Sequence, residues 1–329
     1  MTNQTMTSSK SNFACKELAK FPPARLERYK RAGYRIVGKN KHSAVEVCRW
    51  AKSVLRGERN CYKGVYGIAS HRCLQMTPTL DFCTFNCKFC WRTFGKDRFK
   101  SHGKWDNPKE ILDAAIAAQR ELMSGWKGNK LTTLERYEEA MQPMHVAISL
   151  DGEPTLYPKI AELIKEIKKR KMTAFLVTNG TMPNRLKELL RKKAEPTNLY
   201  ISVYATNRRD YQEITNSFLP NAFDRVMESL MLLKKFKTAR TIMRLTLVKS
   251  LNLKDAEGWA KLIKIAQPKI VEFKGYTWLG ESRKRLKQED MPSMKDLEKF
   301  AKKITKLTGY KIKHKDKISR VIIFSKSNL

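Results

Sequence analysis

Three cysteines in the stretch Cys83-Thr-Phe-Asn-Cys87-Lys-Phe-Cys90 stand at a C-x3-C-x2-C spacing. Tight loops with such gaps can turn three thiolates toward one point, as iron–sulfur and other metal sites require. At about 2% Cys per position over about 300 starting positions, chance supplies such a triplet only about 0.003 times per chain, so the spacing carries information. No fourth Cys follows, and the nearest downstream His is His102. A structural zinc wants four closed ligands, whereas three leave one metal position open for chemistry. The set therefore favours a catalytic iron–sulfur cluster over a structural zinc. All seven cysteines lie between Cys15 and Cys90. An odd, one-sided distribution speaks for reduced thiols at one functional region rather than a secreted disulfide framework. Cytoplasm is the expected compartment.

The chain that must position these thiols has 329 residues, 41% hydrophobic and 9% aromatic, enough for one large domain or two small ones with a real core. Its longest apolar runs, such as 146–150, fall far short of the roughly 18–20 residues that span a membrane. The N-terminus has no apolar signal region, so neither insertion nor secretion is expected. Lys and Arg number 67 against 32 Asp and Glu, a formal charge of +35. That excess costs stability through self-repulsion, and a polyanionic partner is the usual reason to carry it. Basic blocks recur at 165–171, 185–193, 234–237, 283–287 and 311–317. Any one block reads as a solvated helix face, but acidic residues do not balance the sum. RNA is the expected large partner, although charge alone also allows DNA.

Beyond Leu74 the pattern alternates. Apolar or β-branched runs at 74–80, 144–150, 173–178, 199–204, 242–248, 270–276 and 319–324 are separated by helix-period stretches. Asn107-Pro108 opens one helix with a cap and a proline at its first position. Ile160, Leu163, Ile164 and Ile167 follow helical spacing, as do Leu297, Phe300, Ala301, Ile304 and Leu307. Strand–helix alternation over this length predicts a parallel sheet, open or closed into a barrel. Residues 1–40 are polar and basic, with a break at Phe21-Pro22-Pro23. They read as a loosely ordered extension with a short helix at 24–31. The division expected is 1–73 as an N-terminal extension and 74–329 as the sheet domain with a basic C-terminal part.

Other candidates are less specific on their own. Asp151-Gly152-Glu153 follows the second run; the Gly lets backbone approach a ligand closely and the Glu can accept from an ammonium, although a plain turn has the same look. Cys48, Cys61 and Cys73 are widely spaced and would pass as buried inert thiols, and Cys15 as a free one. Lys63, two residues after Cys61, is either a surface charge or an amine desolvated for nucleophilic use.

From about Leu74 onward the chain, with its C-x3-C-x2-C triplet, resembles the radical S-adenosylmethionine (radical SAM) superfamily. That resemblance implies an α/β fold, an incomplete TIM-type (βα) barrel with its site at the strand C-termini. It implies that Cys83, Cys87 and Cys90 hold three irons of a [4Fe–4S] cluster, the open iron binding the methionine end of S-adenosyl-L-methionine. Reductive cleavage would then give a 5′-deoxyadenosyl radical. Phe89 would pack beside the adenine, Gly152 and Glu153 hold the methionine amino group, and Thr178-Asn179-Gly180 lie near the ribose. Where the family usually has Ser-x-Asp-Ala, this chain has Ser202-Val203-Tyr204-Ala205, which keeps Ser202 and loses the carboxylate.

Within the superfamily, Cys48…Cys61…Cys73 and the stretch 61–78 running into Cys83…Cys90-Trp-Arg resemble the wyosine-forming tRNA enzymes of Archaea and eukaryotes, the 4-demethylwyosine synthases. Residues 244–249 and 272–283 resemble them too, while Met294 stands where a His was expected. This implies a second [4Fe–4S] cluster on Cys48, Cys61 and Cys73 that holds the carboxylate of pyruvate, with Lys63 forming a Schiff base to its carbonyl. The implied substrate is N1-methylguanosine at position 37 of tRNA(Phe), its base splayed out of the anticodon loop. Hydrogen abstraction from the methyl group, addition to pyruvate, loss of the carboxyl group and imine exchange would build the tricyclic product. An electron donor of flavodoxin or ferredoxin type, a monomeric state and no flavodoxin-like module ahead of the barrel complete the expectation. The alternatives are another radical SAM RNA-modifying enzyme of methyl- or methylthiotransferase type, and a zinc-containing RNA-binding protein.

Overall fold

The apolar runs form ten strands: β1 (Arg35–Val37), β2 (Ser43–Val45), β3 (Cys73–Thr77), β4 (His145–Ile148), β5 (Thr173–Thr178), β6 (Asn198–Val203), β7 (Arg240–Leu247), β8 (Ile270–Gly275), β9 (Lys311–Asp316) and β10 (Val321–Ser325). The computed structural model describes residues 23–92 and 104–327; Cys15, Phe21-Pro22 and His102 lie outside these. One sheet runs in the order β1-β2-β3-β4-β5-β6-β7-β8-β10-β9. From β3 to β8 every neighbour is parallel. Each return path carries helix, including Pro108–Met123, Ile160–Lys169, Pro183–Arg191, Ala222–Leu232 and Ala256–Ala266. Helices cover the outer face and the barrel interior covers the other, so β4 and β6 are buried along their whole length. Six parallel strands with antiparallel strands on both flanks make the incomplete TIM-type barrel that the sequence implied.

Four strands depart from expectation. β1 and β2 have three residues each, too few to show a period, so the N-terminal extension read as helical also carries a hairpin. The run at 319–324 does form a strand, but antiparallel to β8, because a tight turn returns it directly from β9. The basic block at 311–317 is not a helix face. It is β9, an edge strand whose lysines point to water at alternate positions, a pattern that deters pairing with other chains.

Two layers of core follow from the strand alternation. Leu74, Val146, Leu176, Ile201, Met243 and Val271 face outward and meet helix residues including the predicted stripe Ile160, Leu163, Ile164 and Ile167. Inward, Ala147, Phe175, Tyr200, Ile242 and Ile270 pack around Tyr62, Tyr66 and Ile68. The segment 62–68 therefore plugs the barrel floor. Asn107 caps its helix by accepting from the Lys109 N–H, with Pro108 at the first position as expected. Among the described residues, no helix is long and apolar enough to cross a membrane.

Two buried histidines bear on stability. Burial, with Arg72 and His71 nearby, lowers His145 at the start of β4 to about 4. Burial also lowers His42, whose Nδ1 donates to the Pro78 carbonyl at 2.7 Å while Nε2 accepts from the Asp106 N–H at 2.9 Å. The unfolded chain, with His near about 6.5, takes up these protons first as pH falls. Stability is thus complete above about pH 6.5 and is lost as pH drops toward about 4. Urea titrations at pH 7.5 and pH 5 should show a lower midpoint at pH 5, and His145→Asn should shrink that difference.

Candidate active site

The C-terminal ends of the parallel strands open into a cavity of about 570 Å³, and both sets of three cysteines line it. The loop carrying Cys83, Cys87 and Cys90 leaves β3 and is held from three sides. The Thr77 hydroxyl donates to the Asp151 carbonyl at 2.6 Å, and the Glu153 N–H donates to the Phe82 carbonyl at 2.5 Å. On a second side, the N–H groups of Asn86 and Lys88 donate to the carbonyls of Thr215 and Ile214 at 3.0 and 2.9 Å. On the third, Arg285 donates through Nε to the Lys88 carbonyl at 3.0 Å and through Nη2 to that of Cys90. Gly152 has a φ of +70°, and a Cβ there would lie 2.0 Å from the Thr79 carbonyl oxygen. The close approach its missing Cβ permits is to the protein's own backbone at Thr79 and Phe82, and Gly152 also lines the cavity.

Glu153 is fully buried at the centre of this clasp. Its Oε1 accepts from the Thr155 N–H and hydroxyl at 3.0 and 2.5 Å and from the Thr178 hydroxyl at 2.6 Å, and Oε2 accepts from the Asn179 N–H at 2.7 Å. Burial pushes its carboxyl above the ordinary value, against these donors. Asn179 donates to the Thr84 hydroxyl at 2.8 Å, with its Nδ2 3.9 Å from the Cys83 sulfur. Phe89 and Ser202 also line the cavity. The Phe89 ring lies 5.0 Å from that of Tyr204, so an aromatic cluster occupies the place where the family carboxylate was expected. Met294 opens the helix Met294–Thr308 and is not among the residues that line the cavity.

On the floor side, Cys61 precedes the plug turn, its N–H donating to the Ser70 hydroxyl at 2.9 Å, and Cys73 begins β3. Burial pushes the Cys73 thiol up to about 12, with Cys48 and Cys61 adding to the rise and Lys63 opposing it. Cys48 is raised for the same chief reason. These four groups are thus close enough to feel one another's charge. Thiols that resist ionisation when alone become thiolates beside a metal cation, and sulfur donors are the choice of iron–sulfur clusters. The donor chemistry of both triplets suits such a group, and among the described residues no three His, Cys, Asp or Glu side chains are already gathered as for a single metal ion. The Lys63 ammonium stands 5.0 and 5.2 Å from the ring centroids of Phe175 and Tyr200.

Three lining residues, Tyr62, Arg244 and Lys274, were given no role from the sequence, nor was the buried Glu272 that two of them bond or adjoin. Arg244 on β7 donates to Glu272 on β8 at 2.7 Å and to the Tyr62 hydroxyl at 3.0 Å, and it stacks 4.5 Å from the Tyr200 centroid. The Tyr62 hydroxyl donates to the same Glu272 oxygen at 3.2 Å. A signal existed. Lone charges inside the central strands RTIMRLTL and IVEFKG cannot be buried unless paired or functional.

The chain matches the sequence family described as Radical SAM superfamily over residues 77–263, and that described as Wyosine base formation over 265–326. It is 44% identical to the S-adenosyl-L-methionine-dependent tRNA 4-demethylwyosine synthase of Pyrococcus abyssi, covering 92% of this chain and 88% of that one. Identity to the protein of the same name from Methanocaldococcus jannaschii is 36%, over 90% and 93% of the two chains. Among solved structures, TYW1 with a lysine-pyruvate adduct bound superposes with a TM-score of 0.84 at 32% identity, covering 94% of this chain and 98% of that one. The crystal structure of archaeal TYW1 gives 0.76 at 30% identity, over 94% and 97%.

The ion pair at the barrel centre yields a stability prediction. Arg244→Ala leaves the fully buried Glu272 carboxylate without its counterion, at a cost of about 3–5 kcal/mol. Chemical denaturation should show that loss, and the double variant Arg244→Met/Glu272→Met should recover part of it.

Proposed function

The chain belongs to the radical SAM superfamily, among its S-adenosyl-L-methionine-dependent tRNA 4-demethylwyosine synthases, and from that premise we propose that it condenses N1-methylguanosine-37 of tRNA(Phe) with pyruvate to form 4-demethylwyosine. The observation that carries the reading furthest is that two three-cysteine sets and Lys63 open onto one cavity, so two substrates can meet between them. Cys83, Cys87 and Cys90 would hold one [4Fe–4S] cluster and Cys48, Cys61 and Cys73 a second. With S-adenosylmethionine bound, the first would supply one-electron reductive chemistry for taking hydrogen from a methyl group.

The remaining work falls to the protein's side chains. Glu153 Oε2 has one donor, from Asn179, against three at Oε1, which leaves it capacity to accept from the methionine ammonium. Phe89 offers a face to the adenine, with Thr178, Asn179 and Ser202 on the ribose side. Lys63 forms an imine with the pyruvate carbonyl: its nitrogen bonds the carbonyl carbon and the oxygen leaves as water. The faces of Phe175 and Tyr200 steady the ammonium before that step. A lysine–pyruvate adduct in the TYW1 structure of the same fold supports this role for a lysine. The surplus of Lys and Arg grips tRNA phosphates, while a flavodoxin- or ferredoxin-type protein donates electrons to the enzyme, acting as a cytoplasmic monomer.

Reduced enzyme given S-adenosylmethionine, labelled pyruvate and tRNA carrying N1-methylguanosine should place label in a fluorescent tricyclic nucleoside. Cleavage of S-adenosylmethionine with no label in the RNA would point instead to a different radical modification, such as methyl transfer. Anaerobic reconstitution should give about eight irons per chain, falling to about four with loss of RNA product in Cys61→Ala. Stoichiometric zinc without sulfide would favour the zinc-containing RNA-binding alternative.

A further inference from the structure

We propose that Lys274 is a second catalytic lysine of this cavity, carrying a proton between Lys63 and the amino group of the guanine while the imine is exchanged. The inference rests on the reading above. At that stage the added carbons are joined to Lys63 as an imine. Closing the ring requires the guanine amino nitrogen to bond the imine carbon and give up a proton to the lysine nitrogen, leaving both nitrogens singly bonded to that carbon. The carbon–nitrogen bond to Lys63 then breaks as the lysine nitrogen gains a second proton and the guanine nitrogen loses its own second one. No electrons change hands, and the net movement is two protons, passed one at a time from one nitrogen to the other. A group that can both accept and return a proton near neutral pH must therefore stand in the cavity.

Few candidates meet that demand. Arg49, Arg92, Arg244 and Arg320 line the cavity but stay protonated. Burial drives the phenols of Tyr62 and Tyr204 well above their ordinary range and raises that of Tyr276 too. Asp151 and Glu153 belong to the clasp of the 83–90 loop, and the remaining capacity of Glu153 is the one assigned above to the methionine ammonium. Lys274 remains. It sits at the C-terminal end of β8, two residues and about 6.6 Å beyond Glu272 along the strand. Lys63 stands over the same Tyr200 ring that Arg244 stacks on, and Glu272, the partner of Arg244, is on the strand of Lys274, so the two lysines of this cavity border one buried ion pair. The ammonium of Lys274 donates to the Ser319 carbonyl, and Glu272 is already engaged by Arg244 rather than by this lysine. An ammonium has two further donors for the cavity. The charged groups around it are Glu272 on its own strand, Arg244 on β7, Asp316 at the end of β9 and Arg320 in the turn to β10. Burial outweighs them and brings Lys274 down to about 8, with Arg244 and Arg320 adding to the fall and Glu272 and Asp316 opposing it. Both forms of the amine are then accessible near neutrality.

The test uses the reconstituted enzyme with tRNA carrying N1-methylguanosine, pyruvate and S-adenosylmethionine, quenched with borohydride. In Lys274→Gln and Lys274→Arg, formation of the tricyclic nucleoside should slow by about 10²–10⁴-fold. RNA should accumulate covalently on Lys63 as a reduction-trapped adduct, located by mass spectrometry of the peptide. Trapping of pyruvate alone on Lys63, without RNA, should persist. Lys274→Arg keeps the cation and a donor for Ser319 but cannot surrender its proton, so it separates proton transfer from loss of fold. Normal product formation in Lys274→Arg would overturn the proposal. So would loss of the pyruvate adduct in that variant, which would make the lysine a binding group. If the unsubstituted enzyme traps no pyruvate on Lys63, the reading beneath the proposal fails and takes the proposal with it.

Discussion

Tyr62, Tyr66 and Ile68 fill the lower half of a barrel whose own strands do not fill it. They pack against Phe175, Tyr200, Ile242 and Ile270, inward residues of β5 to β8. Without them those side chains would line a void, and both lost transfer energy and cavity formation would count against folding. The same turn carries Cys61 at its start and Lys63 at its second position. Core formation and placement of the reactive groups are therefore one event. Lys63 cannot be moved without moving the tyrosines that seal the floor.

Above the floor the interior changes character. Arg244 and the Tyr62 hydroxyl both donate to Glu272 Oε1, so a charge pair taken out of water keeps hydrogen bonds there, while Oε2 is buried without a partner among the described residues. That arrangement sets the boundary between an apolar plug and a polar reaction chamber. On the other wall, the cysteine loop has little regular structure of its own. Its backbone groups are met by distant elements: Glu153 after β4, Thr215 and Ile214 after β6, and Arg285 after β8. A buried loop must find such partners, because orphaned peptide groups are costly. The loop geometry is consequently a property of the whole barrel, and residues 265–326 help to shape a site whose signature lies at 83–90.

Charge is distributed unevenly between these interior tasks and the surface. Glu272, Asp316 and Glu46 are spent on Arg244, Arg59 and Arg92. The lysines of β9 alternate outward along an exposed edge. These three carboxylates are taken up inside the fold, and the excess of Lys and Arg over Asp and Glu leaves many cations without an acidic partner.

The sequence alone determined the cysteine triplets, the parallel alternation and the amphipathic stripes, because these are local: spacing within a loop and periodicity within an element do not depend on the rest of the chain. Thr173–Thr178 is a strand with the bounds its β-branched run predicts, and Asn107-Pro108 starts a helix as its capping chemistry requires. Position beside the cavity was legible for Glu153 and Lys63 only through neighbours in sequence that belonged to a recognisable pattern. Tertiary structure decided the rest. It brought Cys48, Cys61 and Cys73 to the same chamber as Cys83, Cys87 and Cys90, turned Gly152 toward the protein's own backbone, and made β9 a strand rather than a helix face. It also gathered Arg244, Glu272 and Lys274 on the inner wall. Which face of a strand points inward is fixed by parity, but what the interior contains depends on the curvature of six strands and on the segment that plugs them. Those are sums over long-range contacts, and no window of sequence contains them.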